Sequence, residues 1–212
     1  MEKRNSKVHQ KNKSKRPMKD ISVFLDLDNT CIYSIDLDKI SKDPPKWTKK
    51  FKYIDMEKEY RIFERPGLQP FLDWLFKNFN VCIWSAASPA YVEFIAKNII
   101  ENKHRQIDLI LNSENCEESQ HMYGDDNIKK LELLWDVHDL PMGPSSTLII
   151  DDLKKVIKSN PYNSIRIKKF VAKEDSIDDQ GMKKVKKELI KIKKHYKKHI
   201  NDPSHFDLVN FE

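Results

Sequence analysis

The stretch Ile21–Thr30, ISVFLDLDNT, runs a short apolar segment straight into two carboxylates and a hydroxyl. Ile21, Val23, Phe24 and Leu25 form an apolar run of buried-strand length, the kind found in parallel sheets covered by helices on both faces. This strand ends in charge. Asp26 and Asp28 are two residues apart, so in extended chain their side chains leave the same side, and close carboxylates repel unless a cation sits between them. Mg²⁺ suits that place, being a hard ion usually held by one or two carboxylates plus phosphate and water. Local physics leaves a second reading open, because Asp, Asn and Thr after a strand are also ordinary turn and N-cap residues.

Asp26-Leu27-Asp28-Asn29-Thr30 resembles the D-x-D-x-T signature of the haloacid dehalogenase superfamily. The longer run DLDNTCIYS from Asp26 is similar to its branch of phosphatases acting on the RNA polymerase C-terminal domain, also called NLI-interacting-factor-like phosphatases. The resemblance implies an α/β fold: a three-layer Rossmannoid sandwich with a central parallel sheet and a small β-hairpin insertion after the first strand.

On the amino side, residues 1–19 are rich in Lys and Arg and nearly devoid of apolar side chains, so they read as a disordered tail. Its KNKSKRP segment fits either a nuclear address or a solubilising tail. No apolar h-region opens the chain and no apolar run approaches a membrane span, so an intracellular protein of nucleus or cytoplasm, with no membrane partner, is expected. Cys31, Cys82 and Cys116 are widely spaced and odd in number, which points to a reducing compartment. The net charge of +6 resides mainly at the two ends of the 212-residue chain, so nucleic acid is a weaker partner candidate than a phosphorylated protein or peptide.

On the carboxyl side, Pro44 and Pro45 interrupt residues 32–64, and FKYIDMEKEYRIF (51–63) reads as two short strands turning at Met56–Lys58. Trp47, Phe51, Tyr53, Tyr60 and Phe63 make this insertion aromatic. They serve either to fasten the hairpin to the body or, as the resemblance implies, to seat a proline-containing phosphopeptide. RPGLQPFLDWL from Arg65 opens a helix with Leu68, Phe71, Leu72, Leu75 and Phe76 on one face, and it too is similar to the family. Val81–Trp84 is the next strand and ends in Ser85, after which Ser88 and Pro89 start a helix carrying Tyr91, Phe94, Ile95 and Ile99 inward. A third strand is expected at Ile107–Leu111, a loop over Asn112–Asn127, helical spacing over Ile128–Val137, and a fourth strand at Thr147–Ile150 running into Asp151 and Asp152. Ile165 and Ile167 mark a last short strand, and Asp178–Ile200 a lysine-laden helix with Val185, Leu189, Ile192 and Tyr196 inward. The domain division is therefore a tail over 1–19, a phosphatase domain over 20–175, and a helix with tail over 176–212.

Three apolar strands thus deliver polar groups at their carboxyl ends, where open α/β sheets bind ligands. The resemblance implies the roles. Asp26 is the nucleophile and Asp28 the acid and base; Asn29, Thr30, Ser85 and Lys129 bind phosphate, with Lys130 the alternative lysine. Mg²⁺ is held by Asp26, the Asp28 backbone carbonyl and the Asp151/Asp152 pair, of which Asp152 is the usual ligand. The implied activity is a Mg²⁺-dependent serine/threonine phosphoprotein phosphatase, a phosphoric monoester hydrolase working through an aspartyl-phosphate. Relatives that prefer the polymerase tail carry an arginine shortly before the lysine, and His121–Leu131 has none. Two other readings stand beside it: a non-catalytic binding module of the same fold, and a phosphatase of nucleic-acid termini.

Overall fold

A computed structural model describes residues 18–41 and 45–199. The basic segment 1–17, Pro44 and the tail 200–212 lie outside the described residues, as does the His199 side chain. In chain order the strands and helices are β1 (Ser22–Leu25), β2 (Ile32–Asp36), β3 (Tyr53–Met56), β4 (Tyr60–Glu64), α1 (Leu68–Asn78), β5 (Asn80–Trp84), α2 (Pro89–Ile95), β6 (Leu109–Leu111), α3 (Ser113–Tyr123), β7 (Thr147–Asp151), α4 (Lys154–Ser159), β8 (Ser164–Arg166) and α5 (Gly181–His199). Wide π-type turns extend α2 through Ala96–Ile100 and form Leu133–Val137.

The main sheet has the order β6-β5-β1-β7-β8, all pairs parallel. Its central strand β1 is buried along its whole length, which the apolar residues Val23, Phe24 and Leu25 anticipate. Alternate residues serve opposite faces. Val23 and Leu25 join Val81, Ile83, Leu148 and Ile150 against α1, α2 and α5. Phe24 joins Cys82, Trp84 and Ile149 against Cys116 of α3, the Leu131–Leu134 segment and Val156 of α4. The result is the expected sandwich of helices, parallel sheet and helices. Among the described residues, no helix is long and apolar enough to cross a membrane.

The insertion contains the expected hairpin, β3 paired with β4, but a third strand joins it: β2 lies on the other side of β4, from Ile32 opposite Glu64 to Asp36 opposite Tyr60. Phe51 and Phe63 are buried here and pack together at 6.1 Å, and Phe51 meets Phe170 at 6.0 Å. These rings fasten the insertion to the body. Burying one phenylalanine in this way contributes about 1.5–3 kcal/mol.

Other expectations need correction. Asn112–Asn127 is not a loop, because α3 occupies Ser113–Tyr123. The Asn112 side chain accepts from the Glu114 N–H at 2.9 Å, the Asn115 side chain accepts from the Asn112 N–H at 3.1 Å, and Gly124 ends the helix at φ 93°. Its inward residues are Asn115, Cys116 and Ser119, so it carries no apolar stripe to read. Only Leu133–Val137 of the expected Ile128–Val137 helix is wound into a regular turn, and the third strand is shortened to Leu109–Leu111. The last helix starts at Gly181, where the Asp179 carboxylate accepts from the Gly181 N–H at 2.8 Å. Met182, Val185, Leu189 and Ile192 of α5 then enter the same core as α1.

Candidate active site

Register aligns the strand ends. Leu25 sits opposite both Ile83 and Ile150, so Asp26 emerges beside Asp151, and the Asp26 N–H donates to the Ile150 carbonyl at 3.0 Å. The chain then turns sharply, with the Cys31 and Ile32 N–H groups both donating to the Leu27 carbonyl, at 2.8 and 3.0 Å. The turn requires a left-handed residue, and Asn29 supplies it at φ 62°, a conformation asparagine tolerates better than most residues. Asn29 also accepts from the Phe170 N–H at 2.6 Å, so the C-terminal segment clips the turn in place.

Beneath the turn lies Arg65, fully buried. It donates from Nε and Nη2 to the Asp179 carboxylate at 2.7 and 3.0 Å, from Nη1 to the Thr30 carbonyl at 3.0 Å, and from Nη2 to the Lys168 carbonyl at 2.8 Å. A side chain at Gly181 would collide with this guanidinium, its Cβ falling 2.6 Å from Cζ, which explains the glycine at the start of α5. From sequence Arg65 reads as the opening of a helix and the first residue of a stretch similar to the family, with no anchoring role. The signal for its anchoring role, a lone arginine between the insertion and an apolar helix, is visible in retrospect.

Asp26, Asp151 and Asp152 bring one carboxylate oxygen each within 4.8 Å of one another. Lys129 is buried among them. Its ammonium donates to Asp26 Oδ1 at 2.6 Å and to Asp151 Oδ2 at 2.8 Å. Burial opposes its charge, but the two carboxylates outweigh burial and hold its pKa above the ordinary lysine value. Lys130 points elsewhere, to Glu132 at 3.1 Å and the Ser159 carbonyl at 3.3 Å. Asp151 has both oxygens engaged, the second accepting from the Leu153 N–H at 2.8 Å. Asp152 is less committed, accepting a 3.5 Å bond from the Thr30 hydroxyl.

Three carboxylates against one ammonium leave a buried excess of negative charge. Burial, reinforced by Asp26, pushes the Asp151 carboxyl up to about 6 and moves Asp152 in the same direction. An all-oxygen, net-negative cluster of this kind fits a hard divalent cation such as Mg²⁺.

Asp28 stands apart from that cluster. Its Oδ1 accepts from the Tyr91 hydroxyl at 2.7 Å and from the Ser34 hydroxyl at 3.4 Å, while Ser34 and Tyr91 are themselves in close hydrogen-bond contact. Burial raises the Asp28 pKa, with the Asp26 charge adding to it and the two hydroxyls opposing it. Sequence reasoning placed Tyr91 on the core face of its helix, where its ring does lie, and had no signal for the direction of its hydroxyl. Ser34 was not singled out. Ser85 ends β5 as expected and is buried, its hydroxyl accepting from the Ala87 N–H at 3.2 Å at the approach to α2.

Comparison with known proteins identifies the family. The family model described as NLI interacting factor-like phosphatase matches residues 21–200. The "Putative CTD phosphatase-like protein 355R" of Invertebrate iridescent virus 6 is 40% identical over 188 residues, covering 85% of this chain and 99% of its own. Its namesake in Invertebrate iridescent virus 3 is 41% identical over 180 residues, covering 79% and 94%. Among solved structures, that of Fcp1, titled an essential RNA polymerase II CTD phosphatase, superposes with a TM-score of 0.65 at 18% identity over 89% of this chain and 68% of that one, a likeness of fold. With the acidic strand ends, the buried lysine and the family match in agreement, the chain belongs to the NLI interacting factor-like phosphatases, a CTD phosphatase-like branch of the haloacid dehalogenase superfamily.

Proposed function

We propose that this protein is a Mg²⁺-dependent phosphatase of phosphoserine or phosphothreonine in proteins, working through a phosphoryl group carried on Asp26. The observation that carries the reading is the meeting of Asp26, Asp151, Asp152 and Lys129 at the ends of neighbouring strands, with Asp28 held separately beside them. Asp26, Asp152 and the Asp28 backbone carbonyl would hold Mg²⁺, with Asp151 beside them. When bound, the ion supplies positive charge that offsets the phosphate dianion and the carboxylates. The catalytic unit in this reading is residues 20–175, with the insertion at 32–64 beside the site and α5 bracing Arg65.

The chain's own residues divide the remaining work. A carboxylate oxygen of Asp26 attacks phosphorus as the bond to the serine or threonine oxygen breaks. Asp28, its pKa raised by burial, gives its proton to the departing oxygen and then takes one from the water that cleaves the acyl phosphate. Lys129 stays charged and neutralises negative charge as the phosphoryl group arrives. Asn29, Thr30 and Ser85 bound the phosphate site, Thr30 also bracing Asp152. The viral and cellular relatives named as CTD phosphatases support a phosphoprotein as the substrate class.

Phosphate release from an aryl phosphate and from a phosphoserine peptide, with Mg²⁺ or with chelator, tests the reading. Release is expected only with Mg²⁺, and Asp26→Asn is expected to lower it by about 10⁴-fold or more. Equal release by parent and variant would reject Asp26 as nucleophile.

A further inference from the structure

Asp28 is held by groups from two separate segments: Tyr91 in the first turn of α2 and Ser34 on β2 of the insertion. The Tyr91 ring in turn packs edge-on against Tyr60 of β4 at 5.8 Å, so the insertion sheet touches this pair from two strands. We propose that Tyr91 and Ser34 are positioning residues for the general acid: together they fix Oδ1 of Asp28 as a hydrogen-bond acceptor, so that Oδ2 is the oxygen that presents the proton to the leaving group. The proposal rests on the phosphatase reading given above and deepens it.

The hydrogen count leads there. A phenol has one proton, and with Tyr91 spending it on Asp28 Oδ1, the Ser34 hydroxyl is the donor to the tyrosine oxygen, its single proton shared between that oxygen and the more distant Asp28 Oδ1. When Asp28 is protonated, Oδ1 already receives a proton from Tyr91, and the carboxyl hydrogen resides on Oδ2. In the first step Asp26 forms its bond to phosphorus, the bond from phosphorus to the serine oxygen breaks, and the Oδ2 proton ends on that oxygen. A carboxyl free to rotate would spend part of its time with the proton directed away from the reacting atoms, and misorientation of this kind slows the step without altering the attacking group. Packing alone does not demand the hydroxyls: phenylalanine keeps the ring contact with Tyr60, and alanine is tolerated on the half-buried β2.

A structural role and a positioning role differ in leaving-group dependence. An alkoxide needs the proton to depart, whereas a nitrophenolate hardly does. The experiment follows release of the leaving group in a single turnover with enzyme in excess and Mg²⁺ present, for a phosphoserine peptide and for p-nitrophenyl phosphate. Tyr91→Phe is expected to slow the peptide reaction by about 10- to 100-fold while the aryl reaction changes by less than about 3-fold. Ser34→Ala is expected to show the same pattern at about 3- to 10-fold, with Ser34→Thr restoring most of the rate. Equal slowing of both substrates, or no slowing of the peptide reaction by either variant, would overturn the positioning role while leaving the phosphatase reading intact. A parent protein that releases nothing from either substrate would overturn that reading, and this proposal with it.

Discussion

Asp26 and Asp28 are two residues apart in sequence and live in different surroundings. Asp26 faces an ammonium: Lys129 lies 2.6 Å away and links it to Asp151. Asp28 faces hydroxyls, those of Tyr91 and Ser34, and its burial raises its pKa. In the proposed mechanism this difference is what lets one motif furnish both a nucleophile and an acid. Environment rather than residue type separates the roles, as it does wherever paired carboxylates divide acid and nucleophile between them. Strand β1 ends at Leu25, so both carboxylates lie beyond it, in the turn built on the Leu27 carbonyl and left-handed Asn29, where the same-side rule of extended chain does not hold.

The largest effect expected on that contrast is at Asp28. Asp28→Asn removes the transferable proton and should slow peptide dephosphorylation by about 10²- to 10⁴-fold, measured as single-turnover peptide release. Release of nitrophenolate in the first step should fall far less. Identical losses with both leaving groups would break the distinction between the two aspartates.

Next come the neighbouring lysines. Lys129→Met leaves Asp26 and Asp151 close together and unopposed in the metal-free protein, which should cost about 3–5 kcal/mol by denaturant unfolding. Lys130→Met breaks a partly exposed pair with Glu132 and a 3.3 Å bond to the Ser159 carbonyl, and should cost about 1 kcal/mol. Similar costs for the two would mean that Lys129 is not the ion holding the cluster together.

The last effect is one of pH. Asp151 is raised to about 6 and Asp152 is raised as well, so in the metal-free protein Asp151 takes up a proton as pH falls through about 6, and Asp152 takes one up at higher pH than an ordinary carboxylate. A group with a raised folded-state pKa stabilises the fold below its unfolded value of 3.8 and loses that contribution as pH rises through the folded pKa. Protons and Mg²⁺ therefore compete. The stabilisation by Mg²⁺, about 2.7 kcal/mol for a hundredfold excess over Kd and read as a rise in Tm, should be fully present at pH 7.5 and should shrink as pH drops below about 6. A Mg²⁺ effect independent of pH would show that these carboxyls do not bind the ion.

The sheet was legible where burial on two faces leaves an apolar run: β1, β5 and β7 read directly, and their polar ends located the cluster. Helix α3 was not, because its inward face is Asn115, Cys116 and Ser119, side chains that carry no hydrophobic period. Strand β2 went unread because Ile32–Asp36 follows the acidic motif without a break and only two of its five residues are aliphatic. Lys129 and Lys130 are chemically alike in sequence, and only the fold distinguishes a buried ammonium from one on the rim. Tyr91 was legible as core, since its ring obeys the helical spacing, while the direction of its hydroxyl depends on a turn and a strand far from it in sequence.

The division of labour between the two aspartates is tested most directly by feeding Asp28→Asn an aryl phosphate with Mg²⁺, quenching in acid, and locating the phosphoryl group by peptide mass spectrometry. The aryl group departs without an acid, but the acyl phosphate then lacks its base, so the phosphoryl group should accumulate on Asp26 above the level in the parent protein. A phosphoryl group on another residue, or none on Asp26 while nitrophenolate is released, would contradict it.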